Sequence, residues 1–300
     1  MLIPEFPQFK DIDMSLRDVI RDFFSGCALE ASEYTFTNIF AFRFAYNFNI
    51  SMLKDNLVIL KNTEPVSMFC PVGSSDILKT LNEIFDYLRN INKTPCLERV
   101  PESFVHAYLK DNGKFIFKEE RDQFDYVYDV SELIEIKGSK FHDKKNKVNK
   151  FRSLYKYEYL TLTSDLIEEC LAFEDYWCEV KECGKYPGLQ RERCAILEML
   201  NNFSDLNIKG GIIKIGDKVA AVTLAEKLLP DTMVIHVEKA NPDIPGLYQV
   251  INQEFLMHEA AGCSFVNREQ DLGIPGLRTS KMSYNPVRFV KKYTVTERVP

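Results

Sequence analysis

The chain has 300 residues, of which 45% are apolar and 27% charged, and its formal net charge is −6. This composition excludes a disordered or fibrous protein and is sufficient for one large domain or two ordinary ones. The longest apolar stretch, FTNIFAFRFAYNFNI, is interrupted by Arg43 and is shorter than the roughly 20 residues that span a bilayer. The first residues lack the basic leader and apolar run of a signal peptide. The sequence therefore predicts a cytoplasmic protein without an integral membrane segment.

The first half of the chain shows a regular succession of helix and strand patterns. Apolar periodicity predicts helices at SLRDVIRDFFSG and YTFTNIFAFRFAY, strands at NLVILKN and PVSMFCPV, a helix at SSDILKTLNEIFDYLRN, a strand at TPCLERV and a short helix at ESFVHAYLK. One long strand, FIFKEERDQFDYVYDV, is predicted to follow.

The second half repeats this order of elements without sequence identity. A strand at YEYLTLT precedes two helices, two strands around Gly216 and Asp217, and a third strand at TMVIHVEKA. A helix, LYQVINQEFLMHEAAG, then a strand, CSFVNRE, a short helix after Gly276 and a β-rich end complete the chain. This repetition predicts two domains of mixed α/β structure, one over residues 1–133 and one over residues 134–300.

A basic segment lies where the two halves join. Residues 137–156 carry seven Lys and one Arg against one Asp. On a helix, Phe141, Val148 and Phe151 fall on one stripe, and Lys144 projects into this apolar arc with Lys145 on its border. Because an ammonium beside apolar surface is costly without a partner, we expect Lys144 and Lys145 to contact phosphates of a substrate. The alternative is a solvated basic face.

The cysteines and histidines show no metal-ligand spacing. The eight cysteines are scattered without a CxxC pair, and the four histidines are isolated. We expect reduced, mostly buried thiols and no metal site. The sequence also contains no nucleophile motif, P-loop or dinucleotide fingerprint.

The element order and three motifs carry a resemblance to a known family. The order resembles the GNAT acyltransferase fold, and two such units in series resemble Fem-type and lipid aminoacyltransferases. The stretches DYVYDVSELIEIKGSKFHDKKNKVNKF, IHVEKA and VNREQDLGIPGLRTSKMSYNPVRFVKKY are similar to the phosphatidylglycerol lysyltransferase C-terminal family. The resemblance implies transfer of an aminoacyl group from aminoacyl-tRNA to a lipid headgroup or another amine or hydroxyl acceptor, without a required cofactor.

The strand TMVIHVEKA supplies the candidate catalytic residues. Strand alternation places Val234, His236 and Glu238 on one face, and in a GNAT-like unit this strand lies beside the acyl donor. A carboxylate or imidazole there can accept the proton of the attacking group. We predict Glu238 as the base, with His236 as second choice. The alternative is that Glu238 pairs with Arg268 or Lys239 for structure.

The link KANPDIPGLYQ bears on the choice of donor. GNAT enzymes that use coenzyme A hold its pyrophosphate here on backbone N–H groups at a helix N-terminus. This chain has one glycine, Gly246, and two prolines, Pro242 and Pro245, that lack the donor. This weakens the acyl-CoA alternative, so aminoacyl-tRNA, the donor that the resemblance implies, is preferred, and acyl-CoA is the alternative.

The last motif, from Asn267 to Pro286, is the candidate substrate-binding wall. Alternation places Asn267 and Glu269 on one strand face and Arg268 on the other, and Pro275-Gly276 fits a type II turn. A short helix then aligns Arg278, Lys281 and Tyr284. We predict that these residues and Asp271 bind the substrate, and that Arg268, Arg278 and Lys281 contact an anionic group on it. The alternatives are an ion-pair network that is only structural and, for the whole protein, a noncatalytic binding module.

Overall fold

A computed structural model of the protein describes residues 2–27 and 29–298. The chain divides into two compact units, one formed by residues up to Asp125 together with those from Val290 onward, the other by Tyr126–Phe289. Each unit contains one mixed sheet flanked by helices. The predicted α/β class is therefore confirmed.

The first unit is built on an eight-stranded sheet in the order β1-β2-β3-β4-β6-β15-β7, with β5 paired to β3. Its only parallel pair among the described strands, β4 with β6, has a single register pair, Met68↔Leu97. The strands of this unit are β1 Lys10–Asp11, β2 Phe48–Leu53, β3 Asn56–Lys61, β4 Ser67–Met68, β5 Val72–Gly73, β6 Cys96–Pro101, β7 Phe115–Glu119 and β15 Lys292–Glu297, and its helices are α1 Arg17–Cys27, α2 Phe36–Ala41, α3 Arg43–Tyr46, α4 Ile77–Asn90 and α5 Glu102–Phe104.

The second unit is built on a seven-stranded sheet in the order β14-β8-β13-β12-β11-β10-β9. The pairing of β12 with β13 is parallel, whereas the other neighbours from β8 to β9 are antiparallel. Its strands are β8 Asp125–Asp129, β9 Tyr157–Thr161, β10 Lys209–Ile215, β11 Lys218–Leu229, β12 Thr232–Ala240, β13 Phe265–Asn267 and β14 Arg288–Val290, and its helices are α6 Val130–Glu135, α7 His142–Leu154, α8 Ile167–Val180, α9 Pro187–Asn201, α10 Phe203–Leu206, α11 Leu247–Glu259 and α12 Pro275–Met282.

Helix α11 is the core element of the second unit because buried residues occupy most of its circumference. Leu247, Val250, Ile251 and Phe255 are fully buried, and they pack with Val148 and Phe151 of α7 and with the inner face of the sheet. The apolar stripe predicted for the basic segment therefore forms, and Lys144 lies beside it, buried.

The domain boundary differs from the predicted one between residues 133 and 134. The stretch predicted as one strand forms β7 and β8, which belong to different sheets and are separated by a 3-10 turn at Arg121–Gln123. The polar sequence Glu120–Gln123 interrupts the apolar alternation and accounts for the break. At the other end of the chain, β15 pairs with β6 and β7 of the first unit instead of completing the second.

The expectation that all cysteines are reduced is wrong for one pair. Cys178 at the end of α8 forms a disulfide with Cys183. The six remaining cysteines are free thiols. Within the described ranges, no three or more His, Cys, Asp and Glu side chains are grouped so that they could hold a metal ion. Over the same residues, no helix has the length and apolar character that crossing a membrane requires.

Candidate active site

The two parallel strands of the second unit separate after three residue pairs. The pairing of β12 with β13 runs from Thr232↔Phe265 to Val234↔Asn267, whereas β12 continues along β11 to Ala240. Beyond Asn267 the chain follows β8, since Arg268 N donates to Tyr126 O over 2.9 Å. The separation opens a cavity of about 680 Å³, whose lining includes His236, Glu238, Arg268, Glu269, Lys281 and Tyr284.

Glu238 and Arg268 face each other across this opening. Arg268 Nη2 donates to Glu238 Oε1 over 2.5 Å, and Asn252 Nδ2 of α11 donates to Oε2 over 2.7 Å. Both side chains are nearly buried, with exposed fractions of 10% for Glu238 and 11% for Arg268. Glu238 thus contacts Arg268, as the structural alternative predicted, and not Lys239. Each carboxylate oxygen keeps a second lone pair, so the pairing leaves Glu238 able to accept a proton.

The Arg268 guanidinium is a fixed cation in the cavity wall. Its carbon lies 4.6 Å from the ring centroid of Tyr284 and 5.5 Å from that of Tyr128. Burial opposes its charge, but the negative charge of Glu238 outweighs this effect and raises the pKa of Arg268. Its Nη1 is buried without a hydrogen-bond partner among the described residues. A buried donor without a partner is costly and can be satisfied by a ligand oxygen.

His236 is not available as a base. Its Nδ1 lies 2.8 Å from Glu269 Oε1, its Nε2 lies 2.9 Å from Glu226 Oε1, and its side chain is 1% exposed. Burial favours the neutral imidazole, but the hydrogen bonds to Glu226 and Glu269 and their charges outweigh it and raise the pKa of His236 to about 10. At neutral pH the ring is therefore an imidazolium that donates from both nitrogens and holds Glu269 in place. The second-choice assignment of His236 does not fit this structure.

Lys144 and Lys145 have different surroundings. Lys144 is 7% exposed and its Nζ lies 4.0 Å from the centroid of the Tyr284 ring, so it reaches the cavity wall. Burial, followed by the charges of Lys147 and Arg268, lowers the pKa of Lys144 to about 8. Lys145 is exposed on the outer face of α7. The structure brings Lys144 to the site and leaves Lys145 outside it.

The other predicted binding residues form the frame of the wall. The buried Asp271 carboxylate accepts two hydrogen bonds from Arg278, over 2.9 and 2.8 Å, and one from Gly273 N over 2.8 Å. Burial opposes ionisation, but Arg278 and Tyr126 outweigh it and lower the pKa of Asp271 to about 2. Asn267 Oδ1 accepts from Glu269 N, and Lys281 Nζ donates to the carbonyls of Arg268 and Glu269. Tyr284 lies beyond the end of α12 and is buried.

Four residues of the site were not predicted from the sequence. Glu226 holds His236, Asn252 holds Glu238, and Lys239 Nζ is held by Glu174 Oε1 over 2.9 Å. Lys239 also lies over the Trp177 ring at 3.7 Å. The sequence feature that could have indicated such residues is a polar residue inside an otherwise apolar run, as in VTLAEKLL or LYQVINQEFL. A buried polar residue in such a run needs a partner, although the sequence does not say which.

The fold and the site define a class of protein: a tandem GNAT-like α/β protein with an acyltransferase-type fold, in which a parallel strand pair opens over a charged cavity. The chain belongs to the phosphatidylglycerol lysyltransferase C-terminal family, which matches residues 25–296.

Three solved structures show the same architecture. A conserved protein of unknown function from Bacteroides thetaiotaomicron is 35% identical, with 97% of this chain and 99% of that chain covered and a TM-score of 0.89. L-PGS from Bacillus licheniformis is 12% identical, with coverage of 98% and 93% and a TM-score of 0.63. FemX is 8% identical, with coverage of 97% for both chains and a TM-score of 0.61. No curated protein matches the chain.

Proposed function

We propose that this protein is an aminoacyltransferase that moves an aminoacyl group from aminoacyl-tRNA to an amine or hydroxyl acceptor in the cavity between β12 and β13. The observation that carries the proposal is the Glu238–Arg268 pair at the point of strand separation, where Arg268 Nη1 is buried without a partner among the described residues. A carboxylate next to a fixed, unsatisfied cationic donor suits acyl transfer, which needs a proton acceptor and a group that stabilises the developing oxyanion.

The proposed reaction proceeds by direct attack. The neutral amine or the hydroxyl of the acceptor attacks the ester carbonyl carbon, and Glu238 accepts the proton that the nucleophile loses. Negative charge develops on the carbonyl oxygen, where Arg268 Nη1 can donate a hydrogen bond. Collapse of the intermediate breaks the ester bond, and the departing ribose hydroxyl of the tRNA takes up a proton. His236, Glu226 and Glu269 position the wall without taking part in proton transfer.

The contacts of α7 favour tRNA over coenzyme A as the donor. Gly246, which precedes α11, has a φ of +89°, and a Cβ atom there would lie 2.6 Å from Lys147 O and 3.1 Å from Phe151 Cβ. Leu247 N already donates to Ile244 O. Helix α7 therefore covers the helix terminus at which a GNAT enzyme would hold pyrophosphate, and its exposed lysines offer an alternative surface for the phosphates of RNA.

The rim of the cavity favours an amphiphilic acceptor. Leu272 is 56% exposed, Ile274 51% and Leu277 37%, and all three line the cavity. Exposed apolar residues next to a charged interior suit a molecule with a polar nucleophile and an apolar tail, such as a lipid headgroup in a bilayer. A peptide acceptor remains the alternative. The open cavity gives less support to a noncatalytic module with a blocked cleft.

The decisive experiment is a transfer assay with the purified full chain. Pools of tRNA charged with radiolabelled amino acids are supplied with phosphatidylglycerol vesicles or with soluble amines, and labelled product is measured. We expect transfer, and a decrease of kcat in Glu238→Gln of roughly 100-fold or more, the usual contribution of a general base. The matched control is Glu192→Gln, which also lines the cavity but pairs at its edge with Lys239 and should change kcat little.

Two results would refute the proposal. One is the absence of transfer from every charged tRNA, together with heat of binding for acetyl-CoA in calorimetry, which would support the acyl-CoA alternative. The other is wild-type kcat for Glu238→Gln with the true substrate, which would remove Glu238 from the chemistry.

A further inference from the structure

The disulfide lies in the wall of the candidate active site. Cys178 lies in the last turn of α8, Cys183 starts the turn that follows, and both are more than 90% buried. Trp177 precedes the first cysteine and Lys181 lies between the two, and both line the cavity. The bond therefore fixes the backbone on which two cavity residues are carried.

The disulfide also lies against the residues that hold Lys239. Cys178 Sγ lies 3.7 Å from Glu174 Oε1, the oxygen that accepts from Lys239 Nζ. Glu174 is fully buried, and its Oε2 has no hydrogen-bond partner among the described residues. A disulfide sulfur has no hydrogen to donate, whereas a thiol does. Reduction would therefore create a new donor next to the carboxylate that positions Lys239.

The segment closed by the bond lies at the surface. Residues 179–182 and 184–188 are exposed, so exposed residues flank the two buried cysteines. Glu182 has a φ of +50°, a backbone conformation that residues other than glycine rarely adopt. A Cβ atom added at Gly184 would meet no atom within 4 Å. Loss of the cross-link would let this turn relax away from the cavity.

We propose that Cys178 and Cys183 form a thiol–disulfide exchange site that sets the position of Trp177, Lys181 and Lys239 in the cavity wall, with a cellular dithiol as the reductant. A thiolate of the dithiol attacks one sulfur, the Cys178–Cys183 bond breaks, and a mixed disulfide forms. The second thiol of the reductant then displaces the protein sulfur. The reductant gives two electrons and becomes a disulfide, while both cysteines end as thiols.

The bond itself is detected by peptide mapping of the full chain. Trypsin cleaves after Lys181 and separates the two cysteines, so the disulfide joins two peptides of defined combined mass. We expect this linked pair in protein held with oxidised dithiol, and two separately alkylated peptides after reduction. Recovery of both cysteines as free thiols under oxidising conditions would overturn the proposal.

The coupling to the cavity is measured through the single tryptophan of the chain, Trp177. A disulfide quenches a neighbouring indole, so reduction should increase the emission, and solvent entry should shift it to longer wavelength. Amide hydrogen exchange over residues 181–189 should become faster in the same redox range. Unchanged emission and exchange after complete reduction would contradict the coupling.

Two variants complete the design. Cys194→Ser removes an exposed free thiol and should keep the full redox response. Cys178→Ser with Cys183→Ser should lose it, and the wild-type response remains a sufficient test if this variant does not fold. Because these readouts need no substrate, they stay valid whether or not the proposed transferase activity is found.

Discussion

At the scale of single residues, the two carboxylates around His236 make the stability of the protein depend on pH. The folded pKa of about 10 lies above the ordinary histidine value of 6.5. The stabilisation is therefore complete below about pH 6.5, decreases as the pH rises, and is lost above about pH 10. We expect His236→Gln to reduce the free energy of unfolding by several kcal/mol at pH 6, on the order of 4, and by much less at pH 9.5.

The measurement is urea denaturation of both proteins at several pH values. The difference between wild type and variant isolates His236 together with Glu226 and Glu269, because titrating groups elsewhere in the protein cancel. A difference that stays constant from pH 6 to pH 9.5 would show that the ring is neutral in the folded protein.

Lys144 offers a prediction in which stability and function change in opposite directions. Its folded pKa of about 8 lies below the ordinary lysine value of 10.5, so it destabilises the fold below about pH 8, and this cost disappears towards pH 10.5. We expect Lys144→Met to stabilise the protein at pH 7 by about 1 kcal/mol while it raises the KM for charged tRNA. Lys145→Met is the matched control and should change neither quantity. Thermal unfolding and steady-state kinetics test both, and a destabilised Lys144→Met with normal KM would count against the role.

Residue patterns in the sequence predicted which residues lie at the candidate site better than they predicted the charge states of these residues. Strand alternation singled out Glu238, which lines the cavity, and helical periodicity singled out Lys144, which contacts the ring of Tyr284. The charge state of His236 depends on Glu226 of β11 and on Glu269, whose φ of +55° turns it out of the strand pattern. The alternation that predicted opposite faces for Arg268 and Glu269 no longer applies there, because β13 ends at Asn267. No local pattern contains this information.

At the scale of elements, α7 is expected to be the surface that receives the RNA. Lys144, Lys147 and Lys150 recur at every third position, from the buried site to the exposed face, and residues at this spacing are neighbours on a helix. We expect Lys147→Glu with Lys150→Glu to weaken binding of uncharged tRNA at least tenfold. The slope of log K against log salt should decrease by roughly 0.7–0.9 for each phosphate that the variant no longer neutralises.

The control for the α7 double variant reverses the charge of two lysines elsewhere in the second unit. Lys218→Glu with Lys227→Glu changes two exposed lysines of β11. Fluorescence anisotropy with labelled tRNA compares the two variants, and an equal reduction in affinity for both would show that only net charge matters. A different result would be that the α7 variant no longer binds anionic vesicles, the control variant still does, and both bind tRNA normally. In that case α7 is a membrane-binding surface instead.

The same scale shows where element prediction fails. The helix predicted to carry Arg278, Lys281 and Tyr284 ends at Met282, and it begins at Pro275, where a type II turn was predicted. Proline is well suited to the first helical turn because it has no N–H to satisfy, so Pro-Gly was compatible with both structures. Strand β2 was not predicted, because its sequence FNISML follows the apolar stretch of α2 and α3 after a single polar residue, Asn47, whose left-handed conformation ends α3.

At the scale of the whole molecule, a buried ion cluster ties distant parts of the first unit together. Lys292 Nζ of β15 lies 2.6 Å from Glu33 Oε2 and 2.6 Å from Asp125 Oδ1, and all three side chains are fully buried. Burial raises the pKa of Glu33, although the charge of Lys292 opposes it. We expect Lys292→Ala to destabilise the protein by about 3–5 kcal/mol, because it removes the cation that contacts both buried carboxylates.

Lys291→Ala is the neighbouring control. Its Nζ pairs with Glu102 at the surface, where its side chain is 42% exposed, and such pairs contribute roughly 1 kcal/mol or less. Chemical denaturation of both variants tests the prediction. Equal effects would mean that the buried cluster adds no stability beyond that of a surface pair.

The repeated element order predicted two α/β units, but not which unit the final strand joins. The alternation of apolar and polar residues in VRFVKKYTVTE is compatible with a strand in either sheet. Pairing with the first sheet brings Lys292 to Glu33 and Asp125, which are far away in sequence. Likewise, the sequence of the polar turn before β8 is compatible with a continuous strand unless its charged residues are interpreted as the end of that strand. The first error concerns long-range pairing, which local patterns do not encode, whereas the second concerns a short polar interruption whose effect on the strand is ambiguous in the sequence.

The position of β15 between β6 and β7 has a consequence for biosynthesis. A ribosome completes β7 at Glu119 and β15 only at Glu297, an interval on the order of ten seconds or more at usual elongation rates. During that time β6 and β7 lack the neighbour that separates them in the finished sheet, and their open edges are available to other chains. The second unit, by contrast, has all seven strands of its sheet once Val290 is made, so the part of the protein made first is the part finished last.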